Sequence, residues 1–220
     1  MKAFILAAGR GERLRPLTEN TPKPLIKIRS KPLIEYHLER LAQDGFREVV
    51  INLHYLGEHI RSHIGDGNKW NLSVQYSTEP EGLEAAGGIV QALPLLGNKP
   101  FLMISADIWS DFPFGSLLNH NTETAHCITV DNPDHHPSGD FFLNDGHIRK
   151  AGAQKERVTY ANIGVFHPKL FIHYEKGVRS LGSVLSETLD TQCITGKHYK
   201  GIWRNVTTPE DVIKLNTSTY

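Results

Sequence analysis

The chain has 220 residues, enough to bury a substantial core in one domain. Lysine plus arginine and aspartate plus glutamate each number 24, so the formal net charge is zero, which argues against a nucleic-acid binder that neutralises phosphates over a broad basic face. Two cysteines far apart exclude a disulfide framework, no apolar run reaches bilayer length, and the expected location is the reducing cytoplasm rather than a membrane.

Residues 3–8, Ala-Phe-Ile-Leu-Ala-Ala, form a continuous apolar run that reads as a fully buried strand. It opens into Gly9-Arg10-Gly11-Glu12-Arg13-Leu14-Arg15-Pro16-Leu17-Thr18, with Pro22-Lys23-Pro24 shortly after. The glycines let backbone N–H groups turn toward an anion at close range. Arg10, Arg13, Arg15 and Lys23 lie within fourteen residues, opposed only by Glu12 and Glu19. Strand, glycine loop and clustered cations together describe a polyphosphate site. A dinucleotide fingerprint requires a third glycine where Leu14 stands, and a P-loop requires Gly-Lys-Ser/Thr; neither is present.

Pro32 and Leu33 open a helix with Ile34, Leu38 and Leu41 on one face, and Gly45 stops it. A strand over 48–52, a helix over 57–64 and an alternating strand over 72–76 follow. A helix over 85–96 starts at glycines, and a buried strand over 100–105 ends at Asp107. This alternation predicts an α/β fold with a mostly parallel, Rossmann-like sheet and helices on both faces. In such a sheet ligands bind at the carboxyl ends of the strands, where Gly9, Gly88 and Asp107 can converge. The second half is richer in short β-type runs, at 127–130, 140–143, 147–149 and 159–166, with Asn144-Asp145-Gly146 as a hairpin turn. A helix over 183–189 and a strand near Ile194 come next. Thr208-Pro209-Glu210-Asp211 begins the last helix with a cap, a proline and first-turn acids.

The segment from Leu6 to Pro24 resembles the signature of the sugar-phosphate nucleotidyltransferases: Leu-Ala-Ala-Gly-x-Gly-x-Arg, then Pro-Leu-Thr, then Pro-Lys-Pro. Pro32-Leu33-Ile34-Glu35-Tyr36, Glu84-Ala85-Ala86-Gly87-Gly88 and Ser105-Ala106-Asp107 are similar to later segments of that family. Val130-Asp131-Asn132-Pro133, His135-His136 and Gly139-Asp140-Phe141 resemble a narrower branch, the short N-acetylmuramate 1-phosphate uridylyltransferases of cell-wall recycling. The resemblance implies a nucleotide-diphospho-sugar transferase fold in a single domain, with a nucleotide-binding lobe over 1–131 and a smaller β-rich sugar-phosphate lobe over 132–220. It implies transfer of a nucleoside monophosphate from a nucleoside triphosphate to a sugar 1-phosphate, with release of pyrophosphate.

The resemblance also assigns roles. Backbone amides from Gly9 to Gly11 hold the triphosphate, Arg13 the leaving pyrophosphate, and Lys23 the sugar phosphate and α-phosphate. Asp107 ligates Mg2+. Ala8, Glu84 and Gly87 line the base and ribose, and Asp140, Glu156 and Asn162 contact the sugar. In the family a Trp-x-Asp segment near the C-terminus supplies a second carboxylate to the metal; here it reads Trp203-Arg204-Asn205, and Thr207 replaces a glycine. Asn205 offers a carbonyl oxygen without charge. Two outcomes stay open: a weakened metal site that still turns over, or a nucleotide-binding protein without turnover. Substrates also stay open between UTP with N-acetylmuramate 1-phosphate, GTP with mannose 1-phosphate, and dTTP with glucose 1-phosphate. Oligomeric state has no sequence signal.

Overall fold

The computed structural model describes residues 1–150 and 157–218. Its first strand, β1 (Ala3–Leu6), is buried on both faces, and the chain builds outward from it. A small hairpin, β2 (Lys27–Ile28) with β3 (Lys31–Pro32), leads into α1 (Leu33–Gln43). The units β4 (Glu48–Leu53), α2 (Gly57–Ile64), β5 (Ser73–Thr78), α3 (Glu84–Leu96) and β6 (Phe101–Ser105) complete the alternating half. Then come β7 (Ile108–Ser110), β8 (Ala125–Val130), β9 (Phe142–Asn144), β10 (His147–Arg149) and β11 (Thr159–Phe166). The chain closes with α4 (Leu181–Thr191), β12 (Ile194–His198), β13 (Trp203–Asn205) and α5 (Pro209–Thr217).

Nine strands form one sheet in the order β5-β4-β1-β6-β11-β8-β12-β10-β9. The first four are parallel, as the alternation of strand and helix predicts. The β-rich second half extends this same sheet: β11 runs antiparallel to β6 and β8, and β12 returns parallel to β8. After β1 the chain moves to β4 and β5 on one side, then crosses to β6 on the other. The order of strands therefore reverses between β1 and β6, and that reversal opens a crevice at their carboxyl ends.

Alternation along β1 decides which layer packs where. Ala3, Ile5 and Ala7 face a core that includes Ile34, Leu38 and Leu41 of α1 and Ile60 and Ile64 of α2. Phe4 points to the opposite core, with Ile89, Ala92 and Leu96 of α3 and Val184 and Leu185 of α4. Each fully buried Leu, Ile, Val or Phe among these contributes roughly 1.5–3 kcal/mol relative to exposure. The turn between β9 and β10 is made by Asp145 and Gly146, at φ 48° and 74°, the left-handed pair that a two-residue hairpin requires. The strand expected over 140–143 is shifted: Phe142–Asn144 joins the sheet, while Phe141 makes an isolated bridge to Val158. The last helix has its cap as expected, with Thr208 and Asp211 bonding reciprocally as a capping box.

Candidate active site

A cleft of about 890 Å³ lies at the carboxyl ends of β1, β4, β5 and β6. One wall is the glycine loop. Gly11 sits at φ 63°, and a Cβ there would stand 3.0 Å from Thr18 Cγ2 and 3.1 Å from Lys23 Cβ, so both conformation and space call for glycine. Gly9 is different: a Cβ there meets no atom within 4 Å, so the protein itself does not exclude a side chain. The loop is pinned from outside. Thr18 Oγ1 donates to the Gly11 carbonyl at 2.8 Å, and Tyr55 Oη donates to the Thr18 carbonyl at 3.0 Å. Leu14 is fully buried and anchors the turn Glu12–Leu14, which leaves Arg13 exposed on the cleft beside Ala8 and Arg10. Arg15 is not among the lining residues.

Lys23 and Asp107 meet at the floor. Lys23 Nζ donates to Asp107 Oδ2 at 2.5 Å, and Ser105 Oγ donates to Asp107 Oδ1 at 2.6 Å. Burial works to raise the Asp107 carboxyl, but the Lys23 ammonium and the Ser105 hydroxyl outweigh it and hold the group below the usual carboxylate range. Behind it, burial pushes the His37 imidazole down to about 4 against the field of Asp107, so it is neutral at pH 7.

The short ribbon of β7 and β13 brings the C-terminal segment to this floor. Asn205 pairs opposite Ile108, and the Val206 amide donates to the Asp107 carbonyl at 2.8 Å. Trp203 fastens the ribbon to the sheet: its indole N–H donates to the Ala161 carbonyl at 2.9 Å. The side-chain oxygen of Asn205 is buried and has no hydrogen-bond partner in the protein. A buried carbonyl oxygen without a partner suits a hard, oxygen-seeking divalent cation, and the backbone of this segment adjoins that of Asp107. Among the described residues no group of three or more His, Cys, Asp or Glu could hold a metal. Thr207 borders both this cleft and a neighbouring basin of about 640 Å³, which Lys200, Arg204 and Asn205 also line.

The other wall departs more from expectation. Glu84 lines the cleft, at φ 58° in the left-handed region. Gly87 does not. A Cβ there would stand 2.2 Å from the Gly177 carbonyl oxygen, so this glycine is required for packing α3 against the 177–179 segment. The amides of Ala86 and Gly87 are likewise spent on the Arg179 carbonyl, at 3.1 Å each. Asp140 is held in its own loop, accepting from the Tyr160 amide at 2.8 Å and paired with His136 at 3.0 Å, and it lines neither cavity. Asn162 lies at φ 55° where the β11–β8 register shifts, also outside both linings. Glu156 lies outside the described residues. The lining also holds residues that the sequence does not single out, among them Asn52, His54, Glu79 and Leu83. The available signal is an amide and an acid at strand ends, Asn52 near the end of β4 and Glu79 directly after β5.

A family model described as nucleotidyl transferase matches residues 2–143, which include the glycine loop, Lys23 and Asp107. The chain belongs to the nucleotidyl transferase family. It is 44% identical over 218 residues to the N-acetylmuramate alpha-1-phosphate uridylyltransferase of Neisseria meningitidis serogroup B, covering 94% of each chain. It is 29% identical to the mannose-1-phosphate guanylyltransferase catalytic subunit beta of Drosophila melanogaster, over 96% of this chain and 61% of that one. The crystal structure of HddC from Yersinia pseudotuberculosis superposes with a TM-score of 0.82 at 21% identity, over 98% of this chain and 97% of that one. That likeness bears on fold, and it agrees with the nucleotide-diphospho-sugar transferase architecture of this nucleotidyltransferase. No helix among the described residues is long and apolar enough to cross a membrane.

Proposed function

We propose that this nucleotidyltransferase joins UTP to N-acetylmuramate 1-phosphate, releasing pyrophosphate and forming the UDP-sugar, in the cytoplasm and in the service of peptidoglycan recycling. The 44% identity to the meningococcal uridylyltransferase, spread over 94% of both chains, supports that choice of substrates. The chemistry itself is sugar-1-phosphate nucleotidyl transfer. The observation that carries the site is the convergence of Lys23 and Asp107 on the cleft floor, next to the glycine loop.

Both reactants are anions, so the barrier is repulsion plus charge that develops at the transferring phosphorus. A phosphate oxygen of the acceptor attacks the α-phosphorus in line, and the bond to the bridging oxygen of the β-phosphate breaks. The Gly9–Gly11 amides and Arg13 hold the β- and γ-phosphates that depart. Lys23 sits where it can neutralise both the incoming phosphate and the α-phosphate. Asp107 and Asn205 are the oxygen donors that would hold Mg2+, which when bound screens phosphate charge and polarises the α-phosphoryl group. Ala8, Leu83 and Glu84 line the part of the cleft left for base and ribose. Lys200 and Arg204 in the adjoining basin suit an acceptor that carries a carboxylate besides its phosphate.

The test is pyrophosphate release with magnesium from a panel of UTP, GTP and dTTP against N-acetylmuramate, mannose and glucose 1-phosphates. The expected result is fastest turnover with UTP and N-acetylmuramate 1-phosphate. Faster turnover of another pair overturns the substrate choice, and nucleotide binding without release from any pair overturns the activity.

A further inference from the structure

The two walls of the cleft come from distant parts of the chain, and one buried polar chain joins them. The Ala7 amide, at the exit of β1, donates to Asn52 Oδ1 at 2.6 Å. Asn52 Nδ2 donates to Glu79 Oε1 at 2.6 Å, and the Leu83 amide, at the entry to α3, donates to Glu79 Oε2 at 3.1 Å. Asn52 and Glu79 are 2% and 3% exposed at the edge of the cleft, so water replaces a lost partner poorly. The surrounding sequence makes room for the pair: a Cβ on Gly88 would stand 2.6 Å from Glu79 Oε1 and 2.8 Å from Asn52 Nδ2.

We propose that Asn52 and Glu79 are positioning residues for nucleotide binding, which set the distance between the phosphate-gripping loop after β1 and the base-side wall at Leu83–Ala85. The argument is one of geometry. β1 ends at the cleft and α3 begins there, so the loop after β1 and the segment entering α3 carry the backbone that must embrace the nucleotide. The sheet fixes β1 against β4, and Phe4 packs β1 onto the body of α3 at Ile89 and Ala92, but the entry to α3 at Leu83 lies outside both contacts. The amide–carboxylate pair ties that entry to the exit of β1 through the three hydrogen bonds just given. The pair acts through the loops and takes no part in the bond changes at phosphorus. The role rests on the cleft being the nucleoside triphosphate site.

The pair has a swap that preserves every bond. With Asn52→Asp and Glu79→Gln together, the Asp carboxylate accepts from the Ala7 amide and from the Gln amide group, and the Gln carbonyl accepts from the Leu83 amide. Each single change breaks a link: Asn52→Asp sets two carboxylates against each other, and Glu79→Gln sets two amide groups or an unaccepted amide at Leu83. The expected result is that each single variant raises KM for the triphosphate by roughly tenfold, the scale of an unsatisfied buried polar group. KM for the sugar 1-phosphate stays within twofold, and the double variant returns to near wild type. A double variant as impaired as the two singles combined, or single variants with an unchanged triphosphate KM, overturns the role. Amide hydrogen exchange on the ligand-free proteins gives a readout independent of activity. Exchange at residues 7–11 and 83–85 should accelerate in the single variants and recover in the double, while amides of β6 are unmoved. General acceleration across the sheet in the singles, or none at all, also overturns it. Should wild type turn over no triphosphate, the functional reading fails, and this exchange pattern still decides whether the pair holds the walls.

Discussion

Lys23 and Asp107 stand 84 positions apart in the chain, and their side chains meet at 2.5 Å on the floor of the cleft. Each is brought there by a different local device: Lys23 by the short turn Lys23–Leu25 entered through Pro22, and Asp107 by the end of buried β6. The ammonium keeps the carboxylate ionised, and the carboxylate holds the ammonium pointed at the cleft. The arrangement is poised for two anionic substrates, whose phosphates meet a cation that is already oriented.

Lys23→Ala should lower kcat by about 10²–10³-fold, the scale seen when a preorganised donor to developing charge is removed. The measurement is pyrophosphate release at saturating substrates. A loss under tenfold would remove Lys23 from the centre of the mechanism.

Asn205→Asp should lower the magnesium concentration at half-maximal rate, because a carboxylate replaces a buried amide oxygen on the strand that pairs with Ile108. Titrating magnesium against wild type and variant checks it. Equal midpoints would show that the 205 side chain does not touch the ion.

Two glycines should separate binding from folding. Gly9→Ala meets no protein atom within 4 Å, so its melting temperature should match wild type while KM for the triphosphate rises by about tenfold, as backbone approach to phosphate is blocked. Gly87→Ala forces a methyl against the Gly177 carbonyl and should cost roughly 1–3 kcal/mol of stability, the range for overpacking. Urea unfolding and triphosphate KM, measured on both, check the contrast; a destabilised Gly9→Ala with normal KM would reverse the assignment.

Acid should destabilise the fold before the carboxylates titrate. Burial lowers the His37 and His126 imidazoles from an ordinary value of 6.5 to about 4. In the unfolded chain both take up protons as the pH falls through about 6.5, while in the folded chain they do so only near 4. The unfolded state therefore binds more protons in this window, and stability falls as pH falls through it. Urea midpoints between pH 7 and 4 measure the slope. His126→Gln should flatten it, and an unchanged slope in that variant would count against His126 as a source.

The local features of the site were legible because they are written in contiguous residues. The apolar run into Gly9 and Gly11, the cations around it, and the strand that delivers Asp107 each need only a neighbour or two to declare themselves. The cap at Thr208 and the turn at Asp145-Gly146 declare themselves in the same way. Alternation of strand and helix likewise determined the parallel half of the sheet, since a strand buried on both faces has few other ways to pair. The tertiary structure alone decided what lies across the cleft. Strands β7 and β13 have three residues each, too short for any periodicity, yet their pairing sets Asn205 beside Asp107. Nothing near Asn52 in sequence names Glu79 as its partner, and at Gly87 a glycine that admits substrate looks the same in sequence as one that admits the Gly177 carbonyl. Periodicity and turn chemistry act over a few residues, whereas these contacts are fixed by strand order and register, which only the closed sheet supplies.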